Sequence, residues 1–203
     1  MEDGYSLGLC LLDFVPNLAF IIGGFFLYSV ARLGKRRYPI ITIGLGTLLV
    51  FLGGTLKAIW KLLFTLRVAD IQIMSNAQFI LDAPGFLLMF LGVIALARDL
   101  RLHPQTALAA MAVWKMPFLL VMTVCSLGMY GILSYLGFRR RAPLAGVLFV
   151  LAIVFTLGMA GMASAPQTVS MQWVEEGINS AGQIAFAFGA YLLYRRVRVG
   201  VGR

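Results

Sequence analysis

The sequence predicts an all-α, polytopic integral membrane helix bundle, a single transmembrane domain over residues 1–203 with seven transmembrane helices, alternatively six. Three observations predict it. Of the 203 residues, 61% are hydrophobic and 12% charged, with a mean hydropathy of +0.91; a soluble domain carries about twice that share of charge. The apolar residues fall into runs of about 20, the length a helix needs to cross a ~30 Å hydrocarbon core. The net charge of +9 is gathered between those runs, as GKRR (34–37), RDLR (98–101), FRRR (138–141) and RRVRVGVGR (195–203).

In a soluble chain a +9 balance would suggest nucleic acid. Between membrane spans, Lys and Arg instead hold loops on the cytoplasmic side. This explains most of the charge and excludes nucleic-acid binding. Anionic lipid headgroups are the natural partners of such clusters. The N-terminal MEDGYSLGLCLLD has no basic region ahead of its apolar run, so it reads as part of the protein rather than as a cleavable signal.

Taken in order, the first span covers roughly 8–32. GKRRYP follows as a tight cytoplasmic turn, with Pro39 suited to a helix start. The second span covers 39–62, and TLRVADIQIMSN (65–76) is a polar connection. The third covers 78–97. Residues 102–138 are divided by Pro117, which breaks a helix, into a short stretch of about twelve residues and a full span. A clean span at 142–163, a loop at 164–172 and a last span at 173–195 complete the chain.

Two internal repeats can be traced. Residues 27–54 resemble 131–159: a span, LG, a basic triplet, a proline, another span. ILDAPGFLLMFLGVIALARDLR (80–101) resembles GINSAGQIAFAFGAYLLYRRVR (177–198), with Gly92 on Gly189, Arg98 on Arg195 and Asp82 on Asn179. The expected plan is therefore two three-helix halves, 8–101 and 116–198, joined by 102–115. Seven spans put every basic cluster on one side, with the N-terminus outside the cell membrane and the C-terminus cytoplasmic. Six spans would invert one half and lay 104–115 on the membrane surface.

Ionisable groups inside a bilayer are costly and mark function by default. Asp82 lies within the third apolar run, and Lys57 in GGTLKAIWK falls at similar depth on the preceding helix. An Asp82–Lys57 pair satisfies both, either pinning two helices or lining a solute site. Glu175 and Glu176 open the last span, with Asn179 one turn below on the same face. Lys61, beside Trp60, and Lys115, beside Trp114, read as interfacial anchors. Cys10 and Cys125 read as buried small hydrophobes.

Enzyme signatures are missing. There is no G-x-S-x-G, no H-E-x-x-H and no P-loop, and the single histidine, His103, lies in a loop. The chain reads as a non-enzyme with no cofactor and no metal. At the level of architecture, the three-one-three plan with prolines near helix starts is similar to the SWEET sugar transporters. That resemblance implies solute-facing residues on the third and seventh helices, here Asp82 and Asn179. The expected function is a small-solute permease or channel-like protein. Its polar site between the halves would be lined by Asp82, Asn179, Lys57, Glu175 and Glu176. A scaffold or subunit of a larger membrane complex, or a homo-oligomer, is the alternative, and a lipid-acting enzyme or sensor the third.

Overall fold

The computed structural model describes residues 6–34, 36–99, 116–162 and 168–201. They form helices Leu7–Leu12 (α1), Phe14–Arg32 (α2), Arg37–Thr65 (α3), Gln72–Asp99 (α4), Met116–Arg139 (α5), Pro143–Met162 (α6) and Val169–Val201 (α7). Among the described residues, five stretches are long and apolar enough to cross a membrane: α1 and α2 taken together, α3, α4, α5 and α6. Helix α7, with 33 residues and so ~50 Å long, has the length but not the apolarity. Asn179, Ser180 and Gln183 interrupt it. The short span expected within 104–115 lies outside the described residues.

Local chemistry sets the helix boundaries. Pro16 in the first turn of α2 cannot donate to the carbonyl one turn back, and the chain breaks at Asp13 between α1 and α2. Pro143 opens α6, where its missing N–H costs nothing. Helices α3 and α5 end alike. Arg67 and Arg141 both take the left-handed conformation, at φ 55°. The next amide reaches back to close a Schellman-type cap, Val68 N to Leu63 O at 3.0 Å and Ala142 N to Gly137 O at 2.9 Å.

The helices form a closed ring. Each of α2 to α7 packs on its sequence neighbours, and α7 returns to pack on α2. Side-chain contacts fix the directions. Near the end of α3, Lys61 meets Asp13 at the head of α2 and Glu176 near the start of α7. At the opposite end, Phe26 of α2 packs on Tyr191 and Tyr194 of α7, and Arg196 Nε donates to the Arg140 carbonyl at 3.0 Å. Helices α2, α4, α5 and α7 therefore run one way, α3 and α6 the other. The arginines ending α2, α4, α5 and α7 share one face. Helices α4 and α5 run in the same direction.

Glycines let α3 and α4 approach closely. Gly46 of α3 faces Gly85 and Met89 of α4, and Gly92 of α4 faces Thr42 and Ile43 of α3. Without a hydrophobic drive between helices in lipid, such close packing is what associates them. The ring is filled by Phe20, Phe86, Met89, Met129, Tyr130, Phe149 and Phe186, all buried.

Candidate functional site

The buried charged side chains, Asp13, Lys61 and Asp82, gather at the end away from the arginines. Asp13 lies at the break before α2, placed there by the Pro16 interruption. Lys61 lies on the last turns of α3, and its Nζ contacts Asp13 Oδ2 at 2.8 Å, Asp13 Oδ1 at 3.1 Å and Glu176 Oε1 at 3.7 Å. The exposures are 7% for the Lys61 side chain, 6% for Asp13 and 15% for Glu176. This is a nearly dry triad tying together α2, α3 and α7.

Two turns deeper along α3, Gly53 and Gly54 form a notch. The Asp82 carboxyl rests against Gly53 from α4, and the Asn17 amide rests against Gly54 from α2; a Cβ at either glycine would collide. Gln78, a turn before Asp82, lies within hydrogen-bonding reach of its carboxyl, and Lys57 acts on it through space. The expected Asp82–Lys57 pair is thus looser than an ion pair. Lys57 is half-buried and acts also on Glu176.

Several buried polar atoms have no partner in the protein: Thr55 Oγ1 on α3, Gln78 Oε1 and Asp82 Oδ1 on α4, Gln172 Oε1, Ser180 Oγ and Gln183 Oε1 on α7. Leaving such an atom bare costs ~1–3 kcal/mol, which a bridging water would offset.

An aromatic layer closes this region from below. Asn17, Asp82 and Gln183 are each followed, three or four residues later, by a phenylalanine. Phe20 packs on Phe86 and Phe186 at centroid distances of 5.6 and 5.5 Å, and Tyr130 lies 5.5 Å from Phe186. Polar residues thus stand over an apolar plug on three helices at matching depth.

Lys57 acts through space on both Asp82 and Glu176. Glu175 and Asn179 are half-buried, and no hydrogen bond or ion pair joins Asn179 to Asp82. The buried polar residue on that stretch of α7 is Ser180; Gln183, half-buried like Asn179, lies near Tyr130. Lys61 is corrected: it is buried and paired, not an interfacial anchor, because Asp13 and Glu176 draw its ammonium inward. Asp13 was overlooked. Its signal was the same as that of Asp82, a carboxylate inside an apolar run. Cys10 and Cys125 are buried and free, as expected.

Among the described residues no group of three or more His, Cys, Asp and Glu side chains is arranged to hold a metal ion. No protein-family description, curated protein or solved structure matches the chain.

Proposed function

We propose that this chain is a small-solute permease with seven membrane crossings. Its solute site is the polar interior around Asp82, Lys57, Asp13, Lys61 and Glu176. Helix α4 ends on the arginine-bearing face and α5 starts at the opposite end, and this pair of directions is what supports the count of seven. With the arginine face cytoplasmic, the polar interior opens toward the outer surface and the C-terminus lies inside the cell.

The repeated halves support this reading. In the register that aligns Pro39 with Pro143 and Gly92 with Gly189, α2, α3 and α4 correspond to α5, α6 and α7. The α2–α7 contact then corresponds to the α5–α4 contact. Gly23 meets Phe186 and Ala187 in the first; Gly128 meets Phe90 in the second. These contacts agree to within a single position. Parallel repeats enclosing a site near their interface are a transporter arrangement. Asp82 keeps the solute-facing role expected for it. Ser180 and Gln183 replace Asn179 as the α7 contribution.

The single observation that carries the proposal is the Asp82 carboxyl, buried within an apolar helix against Gly53 with its Oδ1 unpartnered. Proteoliposomes containing the protein should be tested by stopped-flow light scattering against a panel of small polar solutes, glycerol, urea and pentoses included. Wild-type protein is expected to accelerate entry of at least one, and the folded Asp82→Ala variant to lose that acceleration. Unchanged entry in the variant would overturn the assignment of the site.

A second reading, a subunit or scaffold of a larger membrane assembly, is favoured by one feature. Helix α6 is the least covered of the five apolar stretches, with 22% of its apolar window buried against 39–44% in the others. A stoichiometric partner or a second copy retained in mild detergent would support it.

A further inference from the structure

At the end of the bundle opposite the polar interior, a groove of about 320 Å³ opens between the first turn of α6 and the last turns of α7. That volume is at the small end of ligand sites, ~300–1,000 Å³. Its walls are apolar, from Pro143, Leu144, Leu192 and Val199, and its rim carries Arg195 and Arg196. We infer that this groove is a binding site for one anionic phospholipid, its phosphate held by Arg195 and Arg196 and the start of its acyl chains against the apolar walls.

Charge and shape both point to that occupant. Arg195 lies with its guanidinium 5.7 Å from the centre of the Tyr191 ring. Arg196 donates its Nε to the Arg140 carbonyl at 3.0 Å, which fixes the plane of the guanidinium and leaves its terminal nitrogens for another acceptor. Neither arginine makes an ion pair among the described residues. The carboxylates of α7, Glu175 and Glu176, stand some 20 residues back, ~30 Å along the helix. Two guanidiniums held in place with no protein anion suit a phosphodiester, which Arg binds bidentately. A soluble anion would need no apolar trough beside them. A lipid needs both, and this groove lies on the basic face, where headgroups meet the protein.

The test titrates the full-length protein in neutral detergent with dioleoyl phosphatidylglycerol and, separately, dioleoyl phosphatidylcholine, with retained lipid read by native mass spectrometry. A basic side chain near the headgroups is worth about fivefold in affinity, so Arg195→Gln with Arg196→Gln should weaken phosphatidylglycerol about 30-fold. Removing the same charge elsewhere on that face, with Arg32→Gln and Arg98→Gln, should cost less than about threefold. Val199→Trp, at a 55% exposed position, keeps every charge but fills the trough, and is expected to reduce binding as well. Equal losses in the two arginine double variants would mean general surface charge and overturn the site. So would full binding by Val199→Trp, or displacement of the lipid by inorganic phosphate.

Discussion

Replacing Lys61 by methionine tests whether the charged triad is as dry as its geometry implies. At 2.8 Å from Asp13 and 3.7 Å from Glu176, the ammonium gains ~6 and ~4 kcal/mol of attraction at an effective dielectric of 20. Most of that offsets the cost of taking the three charges out of water. Removing one partner leaves the others buried and uncompensated, which typically costs ~3–5 kcal/mol. For a chain of this size the melting temperature should fall by about 10 °C. The measurement is thermal or denaturant unfolding of purified protein in detergent. Lys61→Met combined with Asp13→Asn and Glu176→Gln removes the stranded charges and should recover most of the loss. Solute entry separates the roles: the triple variant is expected to be stable but inactive. A loss below 1 kcal/mol in Lys61→Met would refute the reasoning, because it would mean that water already reaches the triad. A triple variant no more stable than the single one would refute it equally.

Two further outcomes follow from packing and direction. Gly53→Val places a branched side chain where the Asp82 carboxyl rests; overpacking of this kind costs ~1–3 kcal/mol, and solute entry should fall with stability, whereas a variant as stable and active as wild type would show that Asp82 is not held in the notch. In a cysteine-less background, Arg36→Cys and Arg140→Cys should both be labelled by a membrane-impermeant maleimide from the cytoplasmic side, since the ends of α2 and α5 share one face; labelling from opposite sides would exclude seven crossings.

Much of this protein is written in its composition. Apolar runs of bilayer length separated by arginine clusters dictate helices that cross lipid, because a spanning segment must satisfy its backbone internally and charge must stay at the surface. Pro16, Pro39 and Pro143 mark helix boundaries through a missing N–H, a property of the residue itself. Asp82 was legible as an anomaly for the same kind of reason: a carboxylate in an apolar run stands out wherever the run packs. The arrangement of its partners was not. Lys61 beside Trp60 has the pattern of an interfacial anchor, and only the packing of α1, α3 and α7 brings Asp13 and Glu176 within reach of its ammonium. Asn179 and Ser180 are adjacent in sequence and equally polar, yet the rotation of α7 about its axis, set by Gly182 against Phe155 and Gly23 against Phe186, buries Ser180 and leaves Asn179 half-exposed. The aromatic plug likewise depends on phenylalanines from α2, α4 and α7 meeting at one depth. Sequence determined that several segments are long and apolar enough to cross a membrane, since transfer from water is a sum over residues. Tertiary structure decided which polar groups meet inside it, since a contact depends on the relative rotation and depth of two helices that neither encodes alone.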